Sequence, residues 1–71
     1  MNEGDLIYIP QGVNLFNYGK HGPMSLTKTD KPVMAVFLGN ENVHVCNIFV
    51  GGIKACVDKK YVYSMERSYV S

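Results

Sequence analysis

Three apolar runs crowd into the second half of the chain: Val33 to Leu38, Val43 to Val50 and Ile53 to Val57. Two turn signals separate them, Gly39-Asn40-Glu41-Asn42 and Gly51-Gly52. Short β-branched runs bounded in this way predict a three-stranded antiparallel meander. A two-residue turn at Gly51-Gly52 sets Val50 opposite Ile53, Ile48 opposite Ala55 and Cys46 opposite Val57. A first turn tipped by Asn40-Glu41 sets Ala35 opposite Cys46, Val33 opposite Ile48 and Phe37 opposite His44. Paired residues share a face and side chains alternate between faces. One face therefore carries Val33, Ala35, Phe37, Cys46, Ile48, Val50, Ile53, Ala55 and Val57, the expected core. The opposite face carries Met34, Val36, Leu38, Val43, Val45, Phe49 and Cys56, interrupted by Asn47 and Lys54. A face open to water reads polar, and this one does not. Something is expected to cover it: the chain's own long loop, or another chain.

The flanks complete the reading. Gly4 to Pro10 predicts a first strand, rich in β-branched and aromatic residues and closed by Pro10. Gln11 to Asp30 holds Gly12, Gly19, Gly22 and Pro23 and reads as a loop of about 20 residues, a length uncommon in a compact domain. Its apolar anchors Val13, Leu15, Phe16, Met24 and Leu26 favour an irregular hairpin folded onto the body of the protein. Asp58-Lys59-Lys60 predicts a tight turn or one turn of 3₁₀ helix, and Tyr61 to Met65 a short closing strand. Glu66 to Ser71 is expected to fray.

This order of strand, long loop, meander, helical turn and closing strand resembles an SH3-like β-barrel. Gly4-Asp5-Leu6-Ile7-Tyr8-Ile9 is similar to the opening strand of KOW- and Tudor-type members, and Val57-Asp58-Lys59-Lys60-Tyr61-Val62 to the end of that fold. The resemblance spans residues 4–65 and implies an all-β, five-stranded barrel with a long loop after the first strand, one domain over residues 1–71. The chain has no Trp and no aromatic-acidic segment like that of peptide-binding SH3 domains, so proline-rich peptides are not the expected ligand. The fold group hosts many unrelated functions.

Composition narrows the function classes. A chain of 71 residues buries only about 60% of its unfolded surface and often leans on disulfides, metals or oligomerisation. Apolar residues at 46% against 18% charged exclude a disordered chain. A net charge of +1 supplies no strong field for a polyanion. With no basic-apolar leader and no long apolar stretch, a cytoplasmic protein without a membrane span is expected. The small size, plain start and lack of targeting signals are similar to small accessory proteins of bacteriophages, which implies a modulator or inhibitor of a host protein.

Candidate chemistry is thin. In the register above, Cys46 and Cys56 point to opposite faces, so two reduced thiols are expected rather than a disulfide. His21, His44, Cys46 and Cys56 lack the spacing of a zinc site. No local motif assembles a nucleophile with a base and a carboxylate. The expectation is a non-enzymatic protein with no metal and no cofactor, working through a protein partner. Phe16, Tyr18 and Met24 are the expected loop contacts. Met34, Val36 and Phe49 are the expected contacts of the second face, as a homodimer seam or a partner site. The alternative is a nucleic-acid-binding module in which Lys54, Lys59 and Lys60 meet phosphates while aromatic rings stack on bases. A further variant is a nucleotide-sequestering small barrel, with Gly12 and Gly51-Gly52 allowing close backbone approach.

Overall fold

A computed structural model describes residues 2–65 of the chain. Seven strands run antiparallel in one sheet: β1 (Leu6–Ile9), β2 (Asn14–Gly19), β3 (Gly22–Lys28), β4 (Val33–Asn40), β5 (Val45–Val50), β6 (Ile53–Asp58) and β7 (Tyr63–Ser64). The spatial order is β3-β2-β6-β5-β4-β1-β7. The outermost strands, β3 and β7, do not pair with each other, so the sheet stays open. The expected strand count of five is therefore too low. The two extra strands come from residues 11–30, which form a bulged hairpin, the irregular hairpin expected of this segment, paired into the sheet as two full strands.

That hairpin hid in the sequence because its alternation is broken. Leu15 faces Thr27 and Phe16 faces Ser25, leaving Leu26 as the extra residue of a bulge. Such a bulge flips the parity of every residue beyond it. At the hairpin's base, Thr29 ties the two ends together. Its hydroxyl donates to the Pro10 carbonyl (2.7 Å) and accepts from the Val13 amide (2.9 Å). Its backbone accepts from the Gly12 amide (2.7 Å) and donates to the Val13 carbonyl (2.9 Å).

The β5–β6 hairpin has the expected register, with Val50 opposite Ile53, Ile48 opposite Ala55 and Cys46 opposite Val57. Gly51 (φ 59°) and Gly52 (φ 84°) both occupy the left-handed region, as a type I′ turn requires. The β4–β5 hairpin departs from expectation. Phe37 pairs with Ile48 rather than with His44, and Asn40 with Cys46. Strand β4 runs on to Asn40, and the loop is formed by residues 41–44 instead of 39–42. Two residues set this. Gly39, at φ 142°, absorbs a bulge between Phe37 and Gly39. The Asn42 side chain accepts from the amides of His44 (2.8 Å) and Val45 (3.0 Å), which holds the turn and launches β5. His44 consequently sits exposed in the loop and does not cap the core.

The core survives because the pairing moved by an even number of residues up to the Gly39 bulge, and Val33, Ala35 and Phe37 all lie before it. Ile7, Ile9, Val13, Leu15, Ala35, Phe37, Cys46, Ile48, Ala55, Val57 and Val62 form one buried cluster, with Val33 and Val50 packed at its margin. Of the expected core residues only Ile53, 47% exposed, stands outside. Strand β1 adds Ile7 and Ile9, and the hairpin adds Val13 and Leu15, so the open sheet coils around a single core. Each such side chain contributes about 1.5–3 kcal/mol of burial.

The 3₁₀ turn spans Lys59–Tyr61, capped by Asp58, whose carboxylate accepts from the Lys60 amide (3.1 Å). The closing strand is shorter than expected and pairs with β1, Ile7 facing Ser64 and Tyr8 facing Tyr63. The expected fraying of Glu66 to Ser71 lies outside the described residues.

Candidate functional site

The hairpin does not lie across the second face of the meander. Strand β2 joins the edge of β6 at Phe16 and Cys56, so the hairpin extends the sheet sideways. The second face is left in the open on its β7-β1-β4-β5 side. Leu6 faces Val36 and Tyr8 faces Met34 across β1 and β4. Val36 faces Phe49 across β4 and β5, and Tyr8 faces Tyr63 across β1 and β7. Leu6 (50%), Met34 (53%), Phe49 (46%) and Tyr63 (53%) are exposed, and so is Tyr8; Val36 is half-buried among them. The rings of Tyr8 and Tyr63 lie 6.2 Å apart at a tilt of 54°, within the range of favourable aromatic pairs. Met34, Val36 and Phe49 thus come together as expected. Leu6, Tyr8 and Tyr63 complete the patch and were missed. The alternation of β1 already sent Leu6 and Tyr8 to one face, but nothing in the sequence alone tied that face to β4.

The other half of this face is polar. Cys56, placed there by parity, is buried rather than open. Its thiol donates to the Asn47 side-chain oxygen (3.2 Å), and more weakly to that of Asn17 (3.9 Å). Asn47 in turn donates to the Glu41 carboxylate (3.0 Å), and Asn17 to the Lys54 carbonyl (3.3 Å). Val45 is buried too.

The loop residues are divided. Phe16 and Tyr18 share one face of the hairpin and meet edge to face, 5.6 Å between ring centroids. Met24 pairs with Asn17 and so belongs to the opposite face, where its thioether lies against Gly19. Met24 is 58% exposed and Tyr18 43%.

The three lysines are also divided. Lys54 is the second residue of β6, and Lys59 and Lys60 follow its end, so about 16 Å of extended strand separates them. Lys60 places its ammonium 5.2 Å from the centre of the Tyr61 ring, a cation–π contact. Nearby, Pro10, Val13, Phe16, Lys28, Asp58 and Tyr61 line an open concavity of about 450 Å³.

Nucleophilic chemistry finds little support in the thiols. Cys46 and Cys56 are both free and buried, and burial raises the pKa of each above the usual thiol value. The neighbouring Lys59 opposes that shift at Cys46 and Lys54 opposes it at Cys56, while Glu41 adds to it at Cys56. Protonated thiols are poor nucleophiles. Among the described residues no group of three His, Cys, Asp or Glu could hold a metal ion, and no helix is long and apolar enough to cross a membrane. No protein-family model, curated protein or solved structure matches this chain.

Proposed function

We propose that this chain is a small non-enzymatic binding protein that acts by protein–protein contact. The observation that carries the reading is the outer sheet face, where four adjacent strands leave Leu6, Tyr8, Met34, Phe49 and Tyr63 open to solvent. Contiguous apolar patches of this kind mark contact surfaces on soluble domains. Tyr and Met suit them, since they add apolar area and adapt to a partner. A second contact element is the β2–β3 hairpin, which carries Tyr18 and Met24 away from the core. The action is occupancy: a rigid sheet presents these side chains and blocks or tethers its partner, in keeping with a modulator of another protein.

The element order supports an SH3-like arrangement for the scaffold. A closing strand preceded by a 3₁₀ turn returns to β1, which also pairs with the first strand of the meander.

The test is capture on the immobilised wild-type chain, followed by calorimetry with the purified partner. Tyr18→Ala, Met24→Ala and Met34→Lys are read beside it, each checked for fold by circular dichroism. A partner lost by at least one of these folded variants supports the reading. A partner held equally by all three would place the contact elsewhere and remove the basis of the proposal.

One observation favours a second reading, nucleic-acid binding: the concavity where Phe16 and Tyr61 lie beside Lys28, with Lys59 and Lys60 adjoining. Rings and ammonium groups together are what single strands need. On that reading Lys59→Glu with Lys60→Glu abolishes binding, and affinity for a single-stranded oligonucleotide falls steeply with salt.

A further inference from the structure

The outer face is exposed and uncharged, and these properties together say what fits it. From their fractional exposures Leu6, Tyr8, Met34, Phe49 and Tyr63 leave on the order of 600 Å² of surface open, at the upper end for a patch on a monomer and about three quarters of the ~800 Å² each partner buries in a standard interface. Neither these residues nor Val36 among them bears a charge. The nearest charge across the strands is Lys54, which faces Phe49 from β6 at the margin of the patch. The chain as a whole carries only +1, so two copies approach without appreciable repulsion.

We propose that this face is closed by a second copy of the same chain, two sheets stacking into a sandwich. The proposal rests on the contact reading for the outer face alone and leaves the β2–β3 hairpin free for another protein. The order of side chains across the face suits self-association. Tyr63 lies on one side, Phe49 on the other, and Leu6, Tyr8, Met34 and Val36 between. A two-fold axis along the strands, between β1 and β4, is isologous. It sets Leu6 of one copy on Val36 of the other and Tyr8 on Met34, a sulfur–aromatic contact. It also brings Tyr63 over β5 of the other copy, beside Phe49. Stacked sheets lie about 10 Å apart, a gap that side chains of this size fill when they interdigitate. A chain this short gains from such burial, because its own core is small.

Mass in solution decides the question, measured by light scattering over about a hundredfold range of concentration. Wild type is expected at twice 7.9 kDa, dissociating only toward the dilute end. Met34→Lys places one buried ammonium per copy, two per dimer, in an apolar seam. It is expected to raise the dissociation constant by about a hundredfold or more. Phe49→Lys, at the margin of the patch, is expected to do the same, so the result does not hang on one variant. Met24→Lys alters a hairpin side chain of comparable exposure and is expected to leave the dimer intact. Wild type at 7.9 kDa throughout the range would overturn the proposal, whatever the variants do. So would a dimer that survives both Met34→Lys and Phe49→Lys. A monomer that still loses its protein partner on Tyr18→Ala or Met24→Ala would end this inference while leaving the contact reading intact.

Discussion

Thr29 is the buried polar residue on which the hairpin's attachment turns. It is 8% exposed, and its hydroxyl serves the Pro10 carbonyl and the Val13 amide at once. Thr29→Val keeps the shape and leaves both backbone groups without that partner. The expected loss is about 1–3 kcal/mol of unfolding free energy, read as a lower urea midpoint with an unchanged slope, and hairpin amides should then exchange faster than those of β5. The cysteines give a second prediction at this scale. Burial raises both thiol pKa values in the folded chain, so the folded state holds its thiol protons to higher pH than the unfolded state does. Stability from this source is complete below the unfolded thiol value of about 8.5 and falls as pH rises through and beyond it. Urea midpoints at pH 7 and pH 10 should show that decline, and a Cys46→Ala, Cys56→Ala double variant should show a smaller one. Native thiols should also react slowly with a maleimide at pH 8, and an immediate reaction would contradict their burial.

Turn chemistry governs the elements, and it is also what made some of them legible. Gly51-Gly52 announced a two-residue turn, and the register it dictates is the one observed. Gly52→Val is expected to cost about 1–2 kcal/mol, because a β-branched residue is strained at φ 84°. Gly51→Asn should be nearly neutral, since Asn tolerates the left-handed region. A comparison of the two melting midpoints checks the assignment. The first hairpin of the meander was harder, because Gly39-Asn40-Glu41-Asn42 offers several turn residues and the Gly39 bulge and the Asn42 side chain choose among them. Val33, Ala35 and Phe37 nonetheless face the core, because up to the Gly39 bulge the observed register lies an even number of residues from the expected one. The β2–β3 hairpin was least legible. The bulge at Leu26 breaks its alternation, and with the alternation went the evidence that Phe16 and Met24 point to opposite faces. The free edge of β3 is also guarded, by Pro23 near its start, the bulge at Leu26 and Lys28 at its end. These are features that discourage edge-to-edge pairing at β3.

For the whole molecule, the issue is how a small core and a large open patch belong to one stable protein. The parity of the meander predicted that Met34, Val36 and Phe49 would lie together, but only the pairing of β1 between β4 and β7 shows that Leu6, Tyr8 and Tyr63 join them. That pairing is non-local, and no spacing within the sequence encodes it. Its consequence is a protein with two apolar surfaces, one sealed inside the coil of the sheet and one outside. If a second copy covers the outer one, stability becomes a property of the pair and must depend on concentration. The wild-type melting midpoint should then rise by roughly 5 °C or more over a hundredfold increase in protein. Met34→Lys should abolish that dependence while keeping a cooperative transition, because Met34 contributes to the seam and not to the core. The two effects are separable in one set of melts. A wild-type midpoint that stays fixed with concentration would mean that the inner core alone holds the fold, and that the outer face waits for a different protein.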